Sequence, residues 1–339
     1  MPVTLARNAP ADSVASLRER RMRRGSLSDR GRLLRVELVN NMPDAAVFST
    51  QRQFIRLLEE AAAAYKVTLG FTSLDGVERS AEARREMGEL YRAPAQVGEA
   101  PPDAVIVTGA EPRAEELDAE PYWRELTAFF DMARARTHAT LASCLAAHAL
   151  VLHRDGLRRR RCGQKLSGLY SIEIVAPHPL TQGLSGGPTP HSRWNGLDEA
   201  ELTAKGYVVL TRAHEAGVDM FARDDEPHLV LGFQGHPEYD GDTLAREFRR
   251  DVARALAGAP APRTPVNYYP PEVAERLSAH VAGMLAGQEG PHLPDWAKLA
   301  PQPDWRTRGA VVVANWLQAI SARKTAAQGP TLLRARWGG

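Results

Sequence analysis

The chain has 339 residues, 43% of them apolar and 25% charged, with 43 basic against 41 acidic side chains for a net charge of +2. That length allows roughly two domains, or one large α/β domain with additions, and the composition excludes a disordered or fibrous protein. Two cysteines, Cys144 and Cys162, exclude a disulfide framework and a four-cysteine zinc site.

Charge is uneven along the chain. Residues 1–35 hold nine Arg against three acids. This stretch reads as a basic N-terminal arm (1–33), solvated or able to touch an anionic surface. It has no apolar signal core, and no apolar run reaches the roughly 18 residues of a membrane span, so a cytoplasmic protein is expected.

A strand is expected at Arg35–Val39, followed by the loop NNMPDAAVFS. Thr50 and Gln53 have capping-box spacing, so a helix is expected to start near Thr50 and to bury Phe54, Leu57, Leu58 and Ala61. Further strands fit Lys66–Phe71 and, after a long polar stretch (74–102), Ala104–Gly109. Trp123, Leu126, Phe129, Phe130 and Ala133 mark one face of the next helix. THATLASC reads as a strand running into Cys144, and LAAHALVLHRDG as a helix ending near Gly156. Alternation of this kind predicts an α/β fold: a doubly wound, mostly parallel sheet with helices on both faces.

Beyond Gly163 short strands are expected in SGLYSIEIV, Tyr207–Thr211 and His228–Gly235, then a helix over Thr243–Leu256. Residues 34–258 are thus expected to form the catalytic domain. APAPRTP reads as a linker, and 259–339 as a helical extension on the core, with a Trp pair, Trp305 and Trp316. The basic run Arg158–Arg161 reads as an exposed loop or a phosphate-facing patch.

Two constellations could carry chemistry. Cys144 sits where an apolar strand meets a helix, between small residues, as a nucleophile on a sharp turn requires. The helix N-terminus would favour a thiolate, and its free N–H groups could serve an oxyanion hole. A free Cys is equally at home as a small core residue. In QGHPEYD, His236 and Glu238 follow an apolar strand, where α/β sheets place their sites. The pair suits a general base with its orienting carboxylate, or a plain surface turn.

The order Cys144…His236-Pro237-Glu238 resembles the class I glutamine amidotransferase-like fold. NNMPDAA…TQRQFIRLL, VIVTGAEP…PYW, KLSGLY, PHSRW, GHPEYDGDTLAREFRRDV, NYYP and WRTRGAVVVANWL narrow the resemblance to the homoserine O-succinyltransferase (homoserine transacylase) family. These motifs follow family order over about residues 35–320. The resemblance implies that Cys144 takes the acyl group from acyl-CoA as a thioester, that His236 is the base and that Glu238 is its partner. It implies substrate-binding roles for Lys165, Ser192 and Arg250, the last as a carboxylate clamp. Ping-pong transfer to homoserine would follow, most simply of succinyl, for methionine synthesis. Succinyl-CoA or acetyl-CoA is then a substrate, with no permanently bound cofactor or metal. Partners are expected to be small molecules and a second copy of the chain, with neither nucleic acid nor membrane.

The chain departs from the family in four places. Asp44-Ala45-Ala46 stands where lysines usually follow the Met-Pro pair, in a longer loop. Thr50-Gln51 replaces Thr-Glu, and His148 replaces a Gln after the nucleophile. The position linked to donor choice falls in GAEPRAEE, where ungapped counting gives Arg113 in place of Gly (succinyl-CoA) or Glu (acetyl-CoA). An Arg facing the donor would favour a succinyl carboxylate. Competing readings are acyl transfer to serine or another hydroxyl metabolite, a glutamine amidase-type hydrolase, and a non-catalytic relative. The absence of a synthase domain speaks against the amidase, and the intact Cys, His and Glu against the last.

Overall fold

The computed structural model describes residues 2–6, 32–288, 296–302 and 304–334. Most of the basic arm (7–31) lies outside them. Eleven strands form one sheet in the order β1-β3-β2-β5-β6-β11-β10-β9-β7-β8, with β4 added beside β3. The strands are β1 (Val3–Leu5), β2 (Leu33–Val39), β3 (Lys66–Thr72), β4 (Tyr91–Arg92), β5 (Ala104–Val107), β6 (Ala139–Ser143), β7 (Arg160–Ile174), β8 (Gly187–Gly196), β9 (Val208–Ala213), β10 (Gly217–Asp225) and β11 (His228–Phe233). Pairing is parallel from β1 to β11 and antiparallel from β11 to β8. The expected α/β architecture, mostly parallel and helix-covered, is the one observed.

Central strands β5, β6 and β11 are buried along their whole length, as befits a sheet covered on both faces. On one face pack α1 (Asp44–Ala61) and the C-terminal helix α9 (Asp304–Arg334), through Phe54, Leu57, Leu58, Val313, Trp316 and Leu317. On the other face lie α4 (Trp123–Arg136) and α5 (Leu145–Asp155), through Leu126, Phe129, Phe130, Ala147 and Leu150. Trp305 belongs to a third cluster with Tyr239, Leu244, Tyr268 and Tyr269.

Two expectations need correction. The first helix starts at Asp44, not Thr50. Pro43 holds the extended N-cap conformation and its carbonyl accepts the Ala46 and Val47 N–H groups, while Asp44 puts a carboxylate in the first turn, where the helix dipole favours it. Thr50 is an interior, buried position. The polar stretch 74–102, left without an element in the sequence, holds short ones. It contains α2 (Ala81–Met87), N-capped by Ser80, then β4 and α3 (Pro94–Glu99). The run Arg158–Arg161 is largely exposed, as expected, but its second half is strand: Arg160 and Arg161 open β7, while Arg158 pairs with Glu116 and Asp118 and Arg160 with Asp198 and Glu201. Strands β8 and β10 carry polar residues among the apolar ones, and that mixture hid them. The short helix α6 (Glu199–Ala204) precedes β9, α7 (Thr243–Leu256) has the expected bounds, and α8 is Pro271–Leu285.

Candidate active site

Cys144 is the N-cap of α5 and has φ 51° and ψ −110°, a conformation that side-chain-bearing residues rarely adopt. The tertiary structure pins it there. Its N–H donates to the Phe233 carbonyl at 2.6 Å, tying the turn to the end of β11. Ala142, Ala146 and Ala147 around it are fully buried. Gly109 closes against the next residue: a Cβ there would lie 2.9 Å from Leu145 Cβ and 3.3 Å from Leu145 N. The elbow expected from the small neighbours is therefore present, with the start of α5 packed closely on Gly109.

β11 delivers the base. Beyond Phe233 the chain turns through Gln234 and Gly235, and His236 N–H donates to the Pro190 carbonyl at 2.8 Å. His236 Nδ1 is 2.8 Å from Glu238 Oε1, which leaves Nε2 for Cys144. Burial works against a charged His236, yet the Glu238 carboxylate and the Cys144 side chain, which also hydrogen-bonds the ring, outweigh it and raise its pKa well above the ordinary value. Tyr239 stacks on the imidazole at 4.2 Å between centroids. Expected from sequence as separate pieces, Cys144, His236 and Glu238 are brought together.

The other site residues form a second shelf, on β7, β8 and α7. Lys165 Nζ lies 2.6 Å from Asp251 Oδ2, and Arg250 reaches the same carboxylate at 3.2 Å. Ser192 Oγ donates to Glu247 Oε2 at 2.5 Å, and Tyr239 OH donates to Glu247 Oε1 at 2.9 Å. Glu247 thus joins the Ser192 side of the site to the ring stacked on His236. Glu247 and Asp251 were not singled out in the sequence. Their i,i+4 spacing on a helix already carrying Arg250 is the signal that could have found them.

His148, one turn into α5, is fully buried 2.8 Å from Gln234 Oε1, and burial lowers its pKa to about 3. Arg113 lies apart. Glu120 latches its loop by accepting the N–H groups of Arg113 and Ala114, but the guanidinium turns outward, 62% exposed, 2.8 Å from Glu78. The aspartate that replaces the usual lysine, Asp44, accepts Ser80 N–H at 2.8 Å and pairs with Arg79, whose guanidinium also binds the Asn40 and Met42 carbonyls. Cys162 is half-buried on β7.

A family model described as homoserine O-succinyltransferase matches residues 2–327. A homoserine O-succinyltransferase of Methylorubrum extorquens is 46% identical over 86% of this chain and 88% of its own. One from Rhodopseudomonas palustris is 42% identical over 86% and 89%. Among solved structures, a glutamine amidotransferase from Methylobacillus flagellatus is similar with a TM-score of 0.47 at 14% identity, over 85% of this chain and 95% of that one.

Proposed function

Since the chain belongs to the homoserine O-succinyltransferase family of acyltransferases, we propose that it moves an acyl group, succinyl foremost, from acyl-CoA to the γ-hydroxyl of homoserine through a thioester on Cys144. The observation that carries this is the strained Cys144 elbow in charge contact with a His236 that Glu238 orients. In the first half-reaction the Cys144 thiolate attacks the thioester carbonyl, and the N–H groups at the start of α5 offer donors to the oxyanion. The CoA thiolate leaves with the His236 proton. Neutral His236 then takes the hydroxyl proton of homoserine as its oxygen attacks the acyl-enzyme, and Cys144 departs as thiolate. The product would enter methionine synthesis.

Lys165, Ser192 and Arg250 are proposed to hold the acceptor. Asp251 and Glu247 would keep them in place, and a carboxylate such as Glu247 suits an amino acid's ammonium. The outward ion pair of Arg113 supports no contact with the acyl end, so donor choice is assigned to other groups. The working form is proposed to be a cytoplasmic homodimer, which sedimentation would test. Among the described residues no helix is long and apolar enough to cross a membrane.

The decisive test is intact-mass spectrometry after mixing with succinyl-CoA or acetyl-CoA without acceptor. The acyl mass should appear, map to the Cys144 peptide, and disappear on adding homoserine with release of O-acylhomoserine. An unmodified Cys144 under these conditions would sink the proposal.

A further inference from the structure

The cycle above makes no use of the run Arg158–Arg161. Arg158 and Arg160 are paired with carboxylates, and Arg159 donates to the Glu115 carbonyl at 2.9 Å. Arg161 differs. Among the described residues it forms no ion pair, and its guanidinium lies over the indole of Trp194, 4.7 Å from the ring centroid. Trp194 is 42% exposed and belongs to none of the apolar clusters of the described residues. Tryptophan is ordinarily well buried. An indole left open beside an exposed arginine has the composition of a binding surface.

Its place in the fold ties this pair to the candidate site. Trp194 stands on β8, the last strand of the sheet. Pro190, four residues earlier on the same strand, accepts the N–H of His236, so the base segment and Trp194 are about 13 Å apart along β8. Ser192 lies between them, and alternation puts it on the same face as Trp194. The Ser192 hydroxyl donates to Glu247, which also accepts Tyr239 OH, and the Tyr239 ring stacks on His236. One face of one strand thus leads from the base to the exposed indole. Beside it, β7 and β8 pair Arg161 with Asn195 and Leu166 with Arg193, so residues 162–165 bulge out of the ladder. Arg263 donates to the Gln164 side-chain carbonyl in that bulge and, among the described residues, forms no ion pair either. Two exposed guanidiniums without carboxylates therefore stand by the far end of the track.

We propose that Trp194, Arg161 and Arg263 form the docking site for the nucleotide end of the acyl-CoA donor. Adenine lies against the indole, and phosphates meet the two guanidiniums. The inference deepens the acyl-CoA reading above and rests on it. In such a donor the thioester ends a flexible pantetheine arm whose other end carries adenine and three phosphate groups. With the thioester carbonyl at Cys144, an extended arm is long enough to pass Ser192 and reach Trp194. An aromatic face holds a base by stacking, and a guanidinium holds a phosphate through paired N–H donors. Ping-pong order removes the conflict with the acceptor: CoA leaves before homoserine enters, so the arm and the amino acid use the Ser192 shelf in turn.

The test is calorimetric binding of desulfo-CoA, which has no thiol to react, to the full-length protein and its variants. Trp194→Ala should weaken binding roughly tenfold or more, the scale of one lost base stack. Arg161→Ala should also weaken it, and Trp194→Phe, which keeps a ring, should lose less than Trp194→Ala. Both side chains are exposed, so these variants should fold. A merely structural role is separated by two thioesters. In Trp194→Ala, kcat/KM for succinyl-CoA should fall with the affinity, whereas for succinyl-pantetheine, which lacks the nucleotide, it should change less than twofold. Unchanged desulfo-CoA affinity in Trp194→Ala, or equal losses with the two thioesters, overturns the proposal. Desulfo-CoA cannot acylate the protein. Binding that responds to Trp194 while Cys144 stays unacylated would therefore refute the acyl-enzyme reading and leave the docking site standing.

Discussion

The two halves of the sheet carry different parts of the proposed site. From β1 to β11 the strands are parallel, and the central ones are apolar and buried on both faces. From β10 to β8 they are antiparallel and mix buried with exposed residues, as in β7, whose first half is largely accessible. The parallel half holds Cys144 in a strained conformation and ends at His236. A close-packed interior of this kind deforms little, so it can keep a costly backbone angle. The antiparallel half brings Lys165 and Ser192, which pair with Asp251 and Glu247 on α7. The two cysteines mark the contrast. Cys144 caps a helix and faces His236, whereas Cys162 sits in a strand beside Arg193.

Replacing each cysteine gives the largest contrast. Cys144→Ser should lose four or more orders of magnitude in turnover, as loss of a triad nucleophile does, and should form no acyl-thioester. Cys162→Ser should still be acylated at Cys144. Acyl label mapping to Cys162 in the wild type would erase the distinction between the halves.

His236→Asn comes next, with an expected fall of roughly 10²–10⁴-fold in kcat. Glu238→Gln should cost less, because Glu238 acts through the ring. The native pKa of His236 is raised, so the imidazolium's contribution to stability is complete below the ordinary histidine value and disappears as pH rises through the native one. Thermal melts across that window should show wild type losing more stability than Glu238→Gln as pH increases. Parallel curves would mean that the carboxylate does not support the charge.

On the parallel side, His148 carries the opposite sign. Its pKa is lowered to about 3, so the unfolded chain takes up a proton that the native one refuses, and stability falls as pH drops from about 6.5 towards 3. His148→Gln should flatten that acid limb while leaving melting at pH 8 nearly unchanged. An equally steep limb in the variant would place the acid sensitivity elsewhere.

The smallest effect is expected at Arg113. Its side chain is mostly solvent-exposed and paired on the surface, so Arg113→Glu should change the ratio of kcat/KM for succinyl-CoA and acetyl-CoA by less than about twofold, the scale of an exposed pair. A tenfold shift towards acetyl-CoA would show that the loop turns inward when donor binds.

Much of the parallel half was legible in the amino-acid sequence, and for a physical reason. A strand buried on both faces is a run of apolar residues, and a helix on such a sheet shows one apolar stripe, so AVIV, HLVLGF and the helix Thr243–Leu256 announce themselves locally. Cys144 and His236-Pro237-Glu238 were legible because strand ends are where such sheets place reacting groups. The start of α1 at Asp44 was hidden by a Pro and an Asp that read equally well as loop. Strands β8 and β10 were hidden because a sheet with polar duties loses its simple alternation. What only the tertiary structure decided are pairings across long stretches of chain. Ser192 meets Glu247 55 residues away, Lys165 meets Asp251 86 residues away, and Arg113 meets Glu78 instead of the site. No local period encodes such contacts, since they depend on which strands lie side by side. Arg193 meets the Ala216 carbonyl, 23 residues away, only once β8 has carried it into the interior.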